Sequence, residues 1–214
     1  MEKIILASNS PRRKEILKKG KIDFTVVKSN YKEVSPEFYS EDSIKKNSLN
    51  KALDTAKQID YAATVIGADT MVILKEGNSS VCLLKPGSKS QAFLMLKNLS
   101  GKTHKVVTSI SLVKTPLADT PKTLTEIEET YVTFRALNDN EIEKYIEIFN
   151  PLDKAGSYGV QDFLTFNKEG HYTASDNFKN LMPGCESFIS KICGDYYNVM
   201  GISLEKLQNM LERF

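Results

Sequence analysis

The sequence is poor in cysteine, and its cysteines lack the spacing of a metal site or a disulfide framework. Only three occur, Cys82, Cys185 and Cys193, an odd number with no C-x-x-C pair. Zinc sites need closely spaced ligands, and small secreted folds carry even numbers of cysteines. We therefore expect neither a zinc site nor disulfide bonds, and a cytoplasmic location fits this composition best.

Charge of one sign is not in excess either. The 214 residues include 29 Lys and Arg and 27 Asp and Glu, which gives a formal net charge of +2. Domains that bind nucleic-acid polymers usually show a larger basic surplus or a basic stripe, so we expect no such partner. The apolar run at residues 4–7 is too short for a secretory signal or a membrane span, and no membrane association is expected.

Several signatures of nucleotide-binding and hydrolytic proteins are missing. There is no G-x-x-x-x-G-K-[ST], which excludes a P-loop nucleotide hydrolase, and there is no G-x-G-x-x-G or H-E-x-x-H. The two histidines, His104 and His171, have no partner at a metal-binding spacing. No nucleophile elbow is present, so Ser-His-Asp chemistry is not expected.

Strand and helix patterns alternate in the first half of the chain, and hairpin patterns follow. Strands are predicted at residues 3–7, 24–27, 64–66, 71–74, 81–84, 106–114 and 125–135, and helices at residues 11–19, 44–58, 88–98, 138–149 and after Ser203. The pair Gly194-Asp195 predicts a hairpin between residues 186–192 and 196–200. This mixture favours an α/β fold with a mixed twisted sheet and flanking helices over a purely parallel one.

The hydrophobic content of 41% is enough for one core, or for two small lobes that share one. We expect a single domain of two lobes over residues 1–214. The stretch at residues 162–183 is rich in Asn, Lys, Thr and Ser, and we interpret it as a surface insertion.

The run Ser8-Asn9-Ser10-Pro11-Arg12-Arg13 lies where a predicted strand meets the start of a helix. Free backbone N–H groups make such a junction an anion site. Helix first turns favour Asp and Glu, yet this helix begins with two arginines. A bound phosphate chain explains them, because guanidinium groups pair with phosphate in a bidentate fork. A solvated basic helix start is the alternative interpretation.

The run Gly67-Ala68-Asp69-Thr70 follows an apolar strand and is predicted to form a turn. Carboxylates at strand ends commonly face the ligand crevice of an α/β sheet. Asp69 is therefore a candidate to hold a divalent metal or to orient a water for attack. An aspartate that caps its own turn is the alternative.

Four further polar residues are candidates for a ligand site only when they are considered together with other motifs. Glu33 lies in a polar loop, Lys51 on a predicted helix, Lys85 at a strand end and Gln161 after Tyr158-Gly159-Val160. Each of them taken alone is more typical of a protein surface than of a ligand site.

Together these motifs resemble the Maf family of nucleotide pyrophosphatases. The resemblance extends over nearly the whole chain, in the order of the family's motifs, and the ordered set is highly specific. The matching runs are Leu6-Ala7-Ser8-Asn9-Ser10-Pro11-Arg12-Arg13, Ile66-Gly67-Ala68-Asp69-Thr70, Leu99-Ser100-Gly101-Lys102-Thr103-His104, Val132-Thr133-Phe134-Arg135 and Pro151-Leu152-Asp153-Lys154-Ala155-Gly156-Ser157-Tyr158-Gly159-Val160-Gln161.

The resemblance implies an α/β fold with a central cleft, similar to the inosine-triphosphate pyrophosphatases and often homodimeric. It implies hydrolysis of a nucleoside triphosphate between the α and β phosphates with a divalent metal, Mg²⁺ or Mn²⁺. Asp69 falls on the family's catalytic acidic position, and Asp69 and Glu33 are the expected metal ligands. Positions that separate the family's subgroups, and that here match the dTTP/UTP subgroup, are occupied by Arg12, Thr70 and Gln161. Other active-site positions, most of them expected to bind phosphate, are occupied by Ser8, Arg13, Glu33, Lys51 and Lys85.

One residue departs from the family pattern. Leu84 stands before Lys85, where related sequences often carry Glu, so any metal set that uses this Glu is incomplete here. The leading hypothesis is hydrolysis of dTTP, UTP and modified pyrimidine triphosphates. The alternatives are the same chemistry on 7-methyl-GTP or another purine nucleotide, and a weakly active nucleotide-binding regulator of cell division.

Overall fold

The structure, a computed structural model, describes residues 2–34, 36–166 and 171–214. Its strands are β1 (Lys3–Leu6), β2 (Thr25–Val26), β3 (Ala63–Glu76), β4 (Ser79–Leu83), β5 (Thr103–Thr115), β6 (Thr123–Phe134), β7 (Leu164–Phe166), β8 (Tyr172–Ala174) and β9 (Ile189–Cys193). Its helices are α1 (Pro11–Lys19), α2 (Glu41–Ala56), α3 (Lys89–Leu99), α4 (Asp139–Phe149), α5 (Val160–Phe163), α6 (Asp176–Leu181), α7 (Tyr196–Met200) and α8 (Leu204–Glu212). Within this part of the chain, no helix is both long and apolar enough to span a bilayer.

The strands form a mixed sheet, which confirms the predicted fold class. Seven strands run in the order β2-β1-β3-β5-β6-β9, with β4 paired to β3 outside that path. β1 is parallel to β2 and β3, whereas β4 and β9 are antiparallel to their partners. Strands β7 and β8 form a separate antiparallel pair.

The chain divides into two compact units. The first unit contains the described residues up to Thr70, together with Val107–Glu128 and Gly201–Phe214. The second unit contains Met71–Val106 and the described part of Glu129–Met200. Strands β3, β5 and β6 contribute residues to both. The arrangement of two lobes around a cleft stays a prediction.

Small residues bring α2 close to the sheet of the first unit. Ala52 and Ala56 of α2 belong to a buried apolar cluster with Ile5 and Val65 of β1 and β3. A Cβ atom added to Gly67 would lie only 2.2 Å from the carbonyl oxygen of Ser48 in α2. The backbones of helix and strand therefore approach one another at a point where only glycine fits.

The turn predicted at Gly67-Ala68-Asp69-Thr70 is wrong, because β3 runs without interruption from Ala63 to Glu76. Gly67 interrupts the apolar pattern, and in the sequence alone such a glycine favours a turn. Its role in the structure is the close approach of α2, which is the other common reason for a glycine within a strand.

The hairpin predicted around Gly194-Asp195 is also wrong. Residues Tyr196–Met200 form α7, and β9 pairs with β6 instead. Asp195 Oδ1 accepts from the Tyr197 backbone N–H at 2.7 Å, so this aspartate caps a helix rather than closing a turn.

Regular elements occupy much of the stretch at residues 162–183. It includes β7, β8 and α6, and Phe163, Phe178 and Met182 are buried. This stretch therefore contributes to the core of the second unit as well as to the surface. Residues 167–170 lie outside the described residues, and the interpretation of the stretch as an insertion stays a prediction.

Candidate active site

β3 carries Asp69 and Thr70 past the carboxyl end of β1. The last pair between these parallel strands is Leu6 with Ile66, and the Ala7 N–H donates to Ile66 O. Ligand sites of α/β sheets lie beyond the carboxyl ends of strands. Adjacent strand residues point to opposite faces, and Asp69 contacts α2 while Thr70 contacts α1. Two clusters of polar side chains result.

The first cluster joins two carboxylates through one ammonium group. Lys51 Nζ lies 2.8 Å from Asp69 Oδ1 and 2.6 Å from Glu33 Oε1, and it donates to Ala68 O at 3.2 Å. The side chains of Lys51 and Asp69 are only 8% and 9% exposed, whereas that of Glu33 is 40% exposed. A buried carboxylate is thus held by a buried cation, and a second carboxylate reaches the same cation from the surface.

Asn47 completes this cluster. Its Nδ2 donates to Asp69 Oδ2 at 2.9 Å and to Val34 O at 2.9 Å, and its Oδ1 accepts from Val34 N at 2.9 Å. The side chain of Asn47 therefore ties the loop that carries Glu33 to the carboxylate of Asp69. Asn47 is absent from the sequence-based candidates. It precedes Lys51 by four residues, so both lie on one face of α2, and that spacing is the signal by which it can be found.

The second cluster holds the guanidinium group of Arg13. Its Nε donates to Gly201 O at 3.1 Å, Nη1 to Ser8 Oγ at 3.3 Å and Nη2 to Thr70 Oγ1 at 3.2 Å. The Thr70 hydroxyl in turn lies 3.0 Å from Thr108 Oγ1. Three donors of Arg13 are thereby fixed, which sets the plane of the guanidinium group.

The surroundings of Arg13 act on the pKa of its guanidinium group in both directions. Burial lowers the pKa of its guanidinium group, while the carboxylates of Asp69 and Glu33 raise it and Arg12 lowers it further. A guanidinium group stays protonated in proteins, so Arg13 is a cation.

The Ser10 side chain makes no capping hydrogen bond to α1, although Ser10 is the N-cap residue. The start of α1 therefore combines two arginines with backbone N–H groups that Ser10 does not cap.

A sequence model described as Maf-like protein matches residues 3–174. The chain belongs to the Maf-like family. It is 37% identical to a dTTP/UTP pyrophosphatase of Thermoanaerobacter sp., covering 99% of this chain and 96% of that protein. It is 40% identical to one of Clostridium perfringens (99% and 97%) and 36% identical to one of Bacillus pumilus (100% and 97%).

A crystal structure of a nucleoside-triphosphatase / dITP/XTP pyrophosphatase from Mycobacterium abscessus aligns with 99% of this chain and 93% of that chain. The TM-score is 0.39 and the sequence identity 12%, a similarity too low to support an argument about the fold.

Seven of the nine candidate residues of this Maf-like protein lie in the first unit. The structure brings Glu33, Lys51 and Asp69 into one cluster and Ser8, Arg13 and Thr70 into the other. Arg12 is half-buried on α1.

The two remaining candidates, Lys85 and Gln161, lie in the second unit. Lys85 is exposed after β4, between the half-buried Leu84 and the buried Pro86. Gln161 is half-buried in α5, and its Nε2 donates to Asp162 Oδ1 at 3.2 Å. That Lys85 and Gln161 join the first-unit clusters around one substrate stays a prediction.

Proposed function

We propose that this Maf-like protein hydrolyses dTTP, UTP and modified pyrimidine triphosphates to the monophosphate and pyrophosphate. The observation that carries the proposal is the buried Asp69 carboxylate, held by Lys51 and Asn47 where β3 passes the end of β1. The names of the relatives support the choice of substrates, since the proteins described above are called dTTP/UTP pyrophosphatases.

Asp69 is the proposed proton acceptor for the attacking water. A general base must be fixed within hydrogen-bond reach of the proton it takes. Lys51 and Asn47 each donate to a different oxygen of Asp69, so the carboxylate cannot rotate freely. Each carboxylate oxygen has two lone pairs, so each keeps one for water or a metal ion.

The residues present fit a divalent metal, Mg²⁺ or Mn²⁺. Within the described part of the chain, no group of three or more His, Cys, Asp or Glu residues that could hold a metal is found. Mg²⁺ needs fewer, since it is commonly held by one or two carboxylates together with phosphate oxygens and waters. Asp69 and Glu33 already converge on one cation, the ammonium of Lys51. A bound metal would neutralise phosphate charge and polarise the reacting phosphoryl group.

Arg13 is the proposed phosphate clamp. A guanidinium group has five N–H donors. One donor of Nη1 is used by Ser8 and one of Nη2 by Thr70, so each nitrogen keeps a second N–H. Two parallel N–H groups of this kind match two oxygens of a phosphate. Lys85 is proposed to add a further positive charge.

Arg12, Thr70 and Gln161 are proposed to select the base. The hydroxyl of Thr70 accepts from Arg13 and lies 3.0 Å from Thr108, so Thr70 acts through the position of Arg13. Gln161 carries an amide, which offers both a donor and an acceptor to the imide edge of uracil or thymine.

The test is a panel of nucleoside triphosphates with Mg²⁺ or Mn²⁺, with pyrophosphate and the monophosphate measured as products. We expect turnover of dTTP and UTP to exceed that of the purine nucleotides. A preference for 7-methyl-GTP would overturn the substrate assignment. Absence of turnover with every nucleotide would overturn the enzymatic function and favour a nucleotide-binding regulator.

A further inference from the structure

The amide of Gln161 has a defined orientation. Its Nε2 lies 3.2 Å from Asp162 Oδ1. The reverse orientation would place the amide oxygen against a carboxylate oxygen, and two acceptors repel one another. The nitrogen therefore faces Asp162. The amide oxygen Oε1 is buried and has no hydrogen-bond partner among the described residues.

Asp162 is itself fixed by Tyr145. The Tyr145 hydroxyl donates to Asp162 Oδ2 at 2.7 Å, and it accepts from the Gly159 N–H at 3.3 Å. Because Gly159 supplies the proton that Tyr145 accepts, the hydroxyl proton must point to Asp162. Burial raises the pKa of Tyr145 well above its ordinary value, and the charge of Asp162 raises it further, so Tyr145 stays a donor.

Packing holds this chain of hydrogen bonds in place. The ring of Tyr145 stacks on Phe163 with a centroid distance of 4.9 Å and on Phe149 at 5.0 Å. A Cβ atom on Gly159 would lie 2.4 Å from Gln161 Nε2, so the amide is packed directly against a glycine. Three hydrogen bonds thus connect the backbone N–H of Gly159 to the amide of Gln161 through Tyr145 and Asp162. Together they fix which end of the amide faces Asp162.

We propose that Asp162 is a positioning residue that presents Gln161 Oε1 as the acceptor for the N3–H of uracil or thymine. The inference rests on the proposed function and deepens it. Uracil and thymine carry a proton on N3, whereas cytosine has a lone pair there. An amide oxygen directed at N3 of the base accepts the proton of uracil or thymine. The same oxygen repels the N3 lone pair of cytosine. A carboxylate at position 162 enforces this polarity because both of its oxygens only accept.

The test is Asp162→Asn, which keeps the shape of the side chain. Tyr145 still requires an acceptor, so we expect the oxygen of the introduced amide to face Tyr145 and its nitrogen to face Gln161. The Gln161 amide then turns over and presents its nitrogen to the base. We expect the ratio of kcat/KM for UTP over CTP to fall at least about tenfold. The value for CTP itself should rise, because the amide N–H of Gln161 then pairs with N3 of cytosine, whereas N3–H of uracil loses its acceptor.

The matched control is Asp176→Asn. Asp176 is an exposed aspartate at the start of α6 that pairs with Lys179. We expect it to leave the UTP/CTP ratio unchanged. A loss of kcat/KM for both nucleotides by the same factor in Asp162→Asn would indicate a merely structural role and overturn the proposal.

A second measurement needs no variant. The wild-type protein should act on N3-methyl-UTP at least about tenfold less well than on UTP, because the methyl group removes the proton that Oε1 accepts. It should tolerate 5-methyl-UTP, in which N3–H is intact. Comparable rates with UTP and N3-methyl-UTP would overturn the inference while the proposed function stands. No turnover of UTP at all would overturn both.

Discussion

Two aspartates, Asp69 in the first unit and Asp162 in the second, each accept hydrogen bonds from side chains, and these side chains differ in charge. Asp69 accepts from the ammonium of Lys51 and from the amide of Asn47. Asp162 accepts from the hydroxyl of Tyr145 and the amide of Gln161, which are neutral.

The difference in donors matches the different tasks proposed for the two aspartates. An ammonium compensates a buried negative charge and is a partner that a metal ion can join or replace. Neutral donors orient a carboxylate without cancelling its charge, and the carboxylate in turn orients them. A carboxylate held by an ammonium group suits proton transfer in a reaction. A carboxylate that contacts neutral donors suits the task of orienting those donors.

The largest expected effect comes from Asp69→Asn. We predict that kcat/KM for UTP falls by about 10³-fold, because an amide can neither take the proton from water nor hold a metal ion as a carboxylate does. The fold should persist, since Lys51 keeps its contact with Glu33. Pyrophosphate release and thermal unfolding measure the two effects. Near-normal rates would show that Asp69 is not the base.

Lys51→Met tests whether the buried side chain of Asp69 depends on the ammonium group that contacts it. Removing one partner of a buried ion pair costs about 3–5 kcal/mol of unfolding free energy. We also expect kcat/KM to fall by about 10²-fold, as charge stabilisation at the phosphates is lost. Denaturant unfolding and steady-state kinetics check both.

The control for Lys51→Met is Lys45→Met. Lys45 lies on the same helix and pairs with Glu41, and both side chains are exposed. Such a surface pair contributes about 0–1 kcal/mol. Equal losses in the two variants would contradict the special position of Lys51.

The secondary structure of the first unit could be predicted in most places because local signals agree there. Pro11 at the first position of α1 and Gly20 after it mark a helix that the structure shows at the same residues. In the second unit, the capping box at Asn138 and Glu141 is likewise present in both directions. Signals of this kind act within a few residues, and at these two helices no tertiary contact overrides them.

The failures have tertiary causes. Gly67 is required by the approach of Ser48, a residue of α2 far from it in sequence, and no local pattern distinguishes that need from a turn. Asn47 acquires its role only when β3 places Asp69 beside α2. The relay through Tyr145 and Asp162 joins α4 to α5, so the motif that contains Gln161 gives no sign of it.

Gly67→Ala tests whether the Asp69 cluster depends on the close approach of α2. The added Cβ would lie 2.2 Å from Ser48 O and 2.9 Å from Ala52 Cβ, so helix or strand must shift. We expect a loss of about 1–3 kcal/mol in unfolding free energy, as for other overpacked sites, and a fall in kcat/KM. Chemical denaturation measures the first quantity.

The control is Gly87→Ala. Its Cβ would lie 3.2 Å from the end of the Gln91 side chain, which can move. We expect little change in stability or rate. If Gly67→Ala behaves like this control, the backbone approach does not position Lys51 and Asn47.

The last prediction concerns stability alone and involves His104, which, like Tyr145, is a buried group of the second unit that stays neutral. His104 Nε2 lies 2.7 Å from the Tyr158 hydroxyl, and burial lowers the pKa of His104 to about 3. In the unfolded chain the pKa of His104 is that of an ordinary histidine. Between about pH 6.5 and pH 3, His104 is therefore protonated in the unfolded chain and neutral in the folded protein. The stability contribution is thus complete above about pH 6.5 and is lost as the pH falls, by up to about 1.4 kcal/mol for each pH unit.

We therefore expect the unfolding free energy of the wild type to fall more steeply between about pH 7 and pH 5 than that of His104→Gln, with a difference of about 2 kcal/mol. His171→Gln is the control, because it replaces an exposed histidine whereas His104 is buried. Denaturant titrations at several pH values give the slopes. Parallel slopes for the wild type and His104→Gln would mean that His104 binds a proton as readily in the folded protein as in the unfolded chain. The second unit would then not exclude charge from its buried polar groups. The comparison of the two units would be limited to the donors that contact Asp69 and Asp162.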